Sequence, residues 1–157
     1  MNNDSIKVTG HLDIILTDKD GNVKDQRSIP NLVVTVGKTL ISERMINSNP
    51  GATYAVMSHM GLGTDGTGLA AGNTALGAQW GTRQPLSPAP TRSGNVITYS
   101  CTFGENTPTS TITSVQEAGI FNSATVGSGT MLCRTTFATI TKGPNDILTI
   151  NWNVTIN

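Results

Sequence analysis

The sequence predicts an all-β fold, an antiparallel sandwich of two sheets of the jelly-roll kind with one short helix. Three observations predict it. Apolar and polar residues alternate strictly in short runs, as at Leu148, Ile150, Trp152, Val154 and Ile156 against Thr149, Asn151, Asn153 and Thr155, and a period of two buries one face of a strand. Gly, Pro, Asn and Asp clusters separate the runs and supply turn chemistry. Only one stretch changes to helical spacing.

In chain order, Ile6, Val8, Leu12, Ile14 and Leu16 fall on even positions with Lys7, Thr9, His11, Asp13 and Thr17 on odd ones, so residues 6–16 read as a half-buried strand. Asp18, Lys19, Asp20 and Gly21 turn the chain into a charged edge strand, 23–29, that ends at Pro30. Residues 31–36 (NLVVTV) are apolar on both faces and read as a separate central strand. Leu40, Ile41 and Met45 then take helical spacing over 37–47, and Asn47, Ser48, Asn49, Pro50 and Gly51 stop that helix. A further strand spans 54–62. It is followed by a Gly-, Thr- and Ala-rich loop, 63–79, whose single charge is Asp65, and by a second loop, 85–94, with three prolines. Loops of about 15 residues in compact domains are usually functional or ordered by a partner. Residues 97–103, 110–115, 118–122, 130–141 and 148–156 complete an inventory of about eight strands. The last two form a hairpin through the turn at 142–146. Their outward Thr and Asn, where Lys and Glu would serve in water, suggest a surface that meets other protein.

At 157 residues the chain reads as one domain, 1–157, with 1–5 as a flexible N-terminal arm, long enough to bury about two thirds of its extended surface. Net charge is zero and 13% of residues are charged, which lacks the basic footprint of a nucleic-acid partner. No apolar run approaches the roughly 20 residues that span a bilayer. Met1, Asn2, Asn3 and Asp4 resemble no signal peptide, so a cytoplasm-like compartment is expected, with Cys101 and Cys133 as packed thiols and no disulfide. A neutral chain is poorly protected from self-association, which favours an assembled state.

Motifs that resemble chemistry fail on context. Residues 61–66 satisfy G-x-G-x-x-G after a strand, but no βαβ unit follows for a dinucleotide. Asp18, Asp20 and Asn22 begin like a calcium loop yet lack its glycine and terminal glutamate, so a hairpin turn held by Asp side chains is the better reading. His11 and His59 have no triad signature around them, and Glu43, Glu105 and Glu117 offer no carboxylate pair by spacing. Asn153, Val154 and Thr155 match a glycosylation triplet that means nothing without secretion. Arg134, alone in an uncharged strand, is either buried or snorkels over its Thr neighbours. No catalytic, cofactor, metal or binding residue is nominated, and no enzymatic activity is expected.

Taken together, NLVVTVGKTLI at 31–41, MGLGT at 60–64, NTALG at 73–77, EAGIFN at 117–122 and MLCRTTF at 131–137 resemble, in identity and order, small structural proteins of tailed bacteriophages. The similarity to head decoration or cement proteins implies a jelly-roll fold, a homotrimer, and binding over joints between major capsid protein subunits on the virion surface, after assembly in the bacterial host cytoplasm. It implies no cofactor, nucleic-acid or membrane partner. The two long loops and the first residues are then the parts expected to meet the lattice or sister subunits. The alternative is a tail, collar or fibre-tip component that contacts the host surface or another tail protein. A free carbohydrate-binding module would need exposed aromatics, for which Trp80 is the one candidate, Trp152 lying on a core face. Glu117 and Arg134 are expected to form at most a surface pair across strands, worth about 0 to 1 kcal/mol.

Overall fold

The computed structural model describes residues 6–46 and 55–157. The expected arm at 1–5, the helix stop at 47–51 and Tyr54 lie outside the described residues. Among those described, the chain is all-β with one helix: β1 (Val8–Thr17), β2 (Val23–Val33), α1 (Thr35–Ile46), β3 (His59–Gly63), β4 (Gln79–Pro85), β5 (Thr91–Ser93), β6 (Val96–Phe103), β7 (Thr113–Phe121), β8 (Met131–Lys142) and β9 (Ile147–Ile156).

The strands form one antiparallel series, β4-β3-β7-β8-β2-β1-β9-β6-β5, which curls into two facing halves. β2 belongs to both. It pairs with β1 from Val23 to Asn31 and with β8 only at Leu32 and Val33. The far ends of the series approach each other, where the Ser87 N–H donates to the Ser100 carbonyl at 2.9 Å. Between the halves lies the main core, with Trp152, Phe103, Leu12, Ile14, Ile120, Leu148 and Ile150 fully buried.

Alternation explains the first half directly. Leu12, Ile14 and Leu16 of β1 face Trp152, Ile150 and Leu148 of β9, which in turn face Tyr99, Cys101 and Phe103 of β6. On the outer face the Thr98 hydroxyl donates to Asn153 and the Ser100 hydroxyl to Asn151, both at 2.8 Å. The Thr and Asn residues therefore satisfy one another in a cross-strand ladder.

Several boundaries differ from the expectation. β2 does not end at Pro30. Its Pro30 sits opposite His11, and its carbonyl accepts the Thr135 hydroxyl at 2.9 Å. In an antiparallel strand the nitrogen faces the same way as the carbonyl, here toward the stretch of β8 with which β2 does not pair, so the missing N–H breaks no ladder bond. Residues 31–36 are no separate strand, because β2 runs to Val33 and α1 starts at Thr35, the Val34 carbonyl accepting the Lys38 N–H at 3.0 Å. Gly37 lets the helix lie against β8, since a Cβ there would collide with the Leu132 carbonyl. β3 is confined to His59–Gly63, β4 and β5 arise in segments read as loop or left unassigned, and 110–115 with 118–122 merge into β7 across a register shift between Val115 and Glu117. A bulge of this kind re-aims a side chain, and here the side chain is Glu117.

Candidate functional site

The long loop between β3 and β4 is the most elaborately held part of the surface. Its anchor is Glu117, 0% exposed on the bulged stretch of β7. One carboxylate oxygen accepts the Ala78 N–H at 2.8 Å and the Asp65 N–H at 3.4 Å, and the other accepts the Gly77 N–H at 2.9 Å. Arg134, from the neighbouring β8, places Nε and Nη2 each 2.8 Å from that second oxygen. Its Nη1 donates to Asn73 Oδ1 at 3.0 Å, and its Nη2 lies 3.7 Å from Asp65. The Asn73 side chain also accepts the Ala70 N–H at 2.9 Å. A hydrogen bond from Thr67 and then the charge of Arg134 hold the Asp65 carboxyl below its ordinary value.

The expected surface pair of Glu117 and Arg134 is thus a buried one. Two charges leave water here because the carboxylate accepts backbone N–H groups and a guanidinium N–H, while the guanidinium donates from Nε to Glu117 and from Nη1 to Asn73, its Nη2 making ion contacts with Glu117 and Asp65 but no hydrogen bond of its own. With its oxygens so occupied, Glu117 acts as an anchor and is not free to move protons or attack a substrate.

Apolar contacts complete the clasp. Leu76 is 8% exposed and lies in a satellite cluster with Val34, Phe121 and Met131 on the outer side of the second half. It rests on Gly119, where a Cβ would stand 3.0 Å from a Leu76 methyl. The Ala71 carbonyl accepts the Thr35 N–H at 2.7 Å, which ties the loop to the first turn of α1. The quoted motifs MGLGT, NTALG, EAGIFN and MLCRTTF therefore supply the parts of one construction. What it presents outward is neutral and small, with Thr64, Gly66, Thr67, Gly68, Ala70, Ala71, Gly72, Thr74 and Ala75 exposed and Leu69 as the largest side chain.

The second loop, 85–94, leaves the other end of β4. Six strand steps separate its start from Gln79, about 20 Å at the usual rise, so the two loops do not form one continuous patch. β4 also carries Arg83, which sequence reasoning passed over. Its guanidinium lies 3.5 Å over the Phe121 ring and donates to the Ser123 and Ser128 carbonyls at 3.0 and 2.9 Å, holding the turn between β7 and β8. Burial and the Arg83 charge together push His59 down. Trp80 is half-buried against the main core, which removes the one candidate for sugar stacking.

The remaining chemistry-like groups resolve into structure. Residues 61–63 end β3 and the loop continues to β4 with no helix between. Asp18 accepts the N–H groups of Asp20 and Asn22 at 2.9 Å, as the hairpin reading requires, and these bonds, led by the Asn22 side chain, lower its carboxyl. One grouping was invisible in the sequence: β1–β2 register brings Ser28 between His11 and Asp13. The serine donates to the carboxylate, whereas nucleophilic activation needs the histidine between the two. Lys142, 0% exposed, donates to the Gly104, Gly143 and Asp146 carbonyls at 3.0, 3.4 and 2.7 Å. Burial pulls its ammonium down while Asp146 and Glu105 push it back. Cys101 and Cys133 are buried thiols, and burial raises the first to about 12.

Compared with known families, curated proteins and solved structures, the chain matches none.

Proposed function

We propose that this chain is a non-enzymatic structural protein of a tailed-phage particle, a head decoration or cement protein that binds over joints between major capsid protein subunits as a homotrimer. The observation that carries the reading is the clasp. Two buried charges, an amide and a buried leucine hold a loop whose outward side chains are small and neutral. Such a surface suits shape complementarity and offers no reactive group. Binding to an assembled shell stabilises it by mass action, and three weak contacts in one trimer raise avidity without new chemistry. The order of the motifs along the chain, and the antiparallel curled sheet with one short helix, support the same reading.

The test is the copy number of this chain in purified particles, by quantitative mass spectrometry against the major capsid protein. A ratio near one per capsid subunit, or a fixed simple fraction of it, is expected. A handful of copies would move the protein to the tail, collar or fibre tip, and absence from particles would overturn the reading. Within the decoration reading, replacing residues 66–72 by a Gly-Ser link is expected to weaken attachment to heads.

A further inference from the structure

We propose that the seam between β2 and β8 is a latch, in which side chains of β2 hold shut a gap that opens on its own while the ladders on either side stay formed. Backbone pairing across this seam is confined to Leu32 and Val33, opposite Arg134 and Cys133. Yet β2 runs back from there to Val23, and β8 runs on to Lys142. Pro30 turns its backbone groups toward the seam, and by alternation Ser28 and Gln26 do the same, with no ladder partner on that side. Among the described residues, only side chains cross here. The Thr135 hydroxyl donates to the Pro30 carbonyl, Arg27 donates to the carbonyls of Ala138 and Thr139, and Lys24 reaches both Asp146 carboxylate oxygens at 2.8 Å.

The receiver of the latch is a bulge. Between the pairs Val115 with Ile140 and Glu117 with Thr136, residues 137–139 of β8 stand against Gln116 alone. Consecutive carbonyls of a regular strand point to opposite sides, but here one guanidinium takes those of both Ala138 and Thr139. Asp25 grips the same guanidinium from behind, at 3.1 Å from Nε and 2.7 Å from Nη2. Arg27 and Asp25 stand opposite Ile14 and Leu16, so two charged residues cover the core where a paired strand would otherwise close it. Ile14 and Leu16 are buried beneath them. A cleft of about 380 Å³ lies alongside, lined among others by Leu16, Lys24, Thr139, Thr141 and Asp146. The latch itself stays in contact with water, Arg27 being 24%, Asp25 28% and Lys24 46% exposed. Charges so placed are screened by salt and hold less firmly than a buried ladder, and local opening follows the line with the fewest buried contacts. Two states result. In the shut state Arg27 sits on the bulge, and in the open state it is in water, with Leu16 and Ile14 reached by solvent and the facing edges of β2 and β8 free. The inference stands on the seam and not on the particle reading, so a negative result here leaves the copy-number test untouched.

The experiment is methyl NMR of the full chain with a soluble nitroxide, which broadens each signal according to its access to solvent. In the wild type, raising sodium chloride from about 0.05 to 1 M is expected to increase broadening at Leu16 and Ile14 while Leu62 and Val154, buried away from the seam, keep theirs. Arg27→Met removes both bonds to the bulge and should raise the open population about tenfold, since bonds from a charged donor are worth that much to a local equilibrium. Arg27→Lys keeps the charge without the fork and should fall between the two, and Lys24→Met should give a smaller rise. Should Arg27→Met fail to fold, the wild-type salt series and Lys24→Met carry the test. Broadening that rises equally at all four methyl positions would mean general loosening and would overturn the latch. Leu16 and Ile14 signals unmoved by salt and by Lys24→Met would overturn it as well.

Discussion

The two halves of the curled sheet are held by different physics. In the half built from β1, β9 and β6, inward residues are apolar without interruption and outward Thr, Ser and Asn bond one another across strands. In the half built from β3, β7 and β8, the strand interior carries a buried acid and a buried arginine, and glycines seat a leucine from a loop. The first half makes a sheet from hydrophobic burial and neutral cross-strand hydrogen bonds. The second uses buried charge to give a long irregular segment one shape, which burial of small neutral residues could not do. The difference teaches that an isolated charge in a β-rich, charge-poor chain is informative about loops more than about strands.

Substitutions that break the two halves should therefore fail differently. Trp152→Ala, in the first half, is expected to cost about 3–5 kcal/mol through cavity formation, with every strand losing hydrogen-exchange protection together. Arg134→Met should cost a similar amount, about 3–5 kcal/mol, by leaving Glu117 buried and unpaired. Its signature differs, because exchange should rise first in residues 65–78. A Glu117→Leu/Arg134→Met double variant sharpens the point. Replacing a buried ion pair by apolar groups is often neutral, but here the Asp65, Gly77 and Ala78 N–H groups lose their acceptor, so denaturant unfolding should show no recovery.

Outside the clasp the effects shrink. Lys142→Met removes three donated hydrogen bonds, although the Gly104 carbonyl keeps Thr107 and the Gly143 carbonyl keeps the Asp146 N–H as donors, and it is expected to destabilise by about 1–3 kcal/mol. Acid should act through carboxylates held below the ordinary 3.8: Asp25 by the Arg27 hydrogen bond, and Asp146, where burial pushes up but the Lys24 hydrogen bond, the Gly143 N–H and the lysine charges more than reverse it. The unfolded chain binds these protons more tightly than the fold does. Their stabilisation is complete above 3.8 and is lost as pH falls through the lowered values, which a denaturation series in pH will show. Asn151→Ala, at the ladder of the first half, should cost least, about 0.2–1 kcal/mol.

Legibility in the sequence follows the same division. β1, β6 and β9 were readable because period two in Leu12, Ile14 and Leu16 or in Leu148, Ile150 and Trp152 leaves no other interpretation. Pro30 misled because its tolerance depends on β2 parting from β8, which no local pattern announces. Glu117 split β7 in the reading because an acid between apolar residues resembles a loop, when a bulge buries it against Arg134. The clasp had a signal in the lone charges Asp65, Glu117 and Arg134 of otherwise neutral segments. Their meeting is long-range, and Asn73, Leu76 and Arg83 carry no periodicity to betray their roles. Trp80 and the Ser28 grouping likewise depend on strand register alone.

The measurement that tests the clasp most directly is amide hydrogen exchange at Gly77 and Ala78, compared with Ile150 in β9, in the wild-type chain and in Glu117→Gln. The account predicts that the two loop amides are protected in the wild type and lose that protection in the variant while Ile150 largely keeps its own. Rapid exchange at Gly77 and Ala78 already in the wild type, or protection unchanged by the substitution, would contradict it.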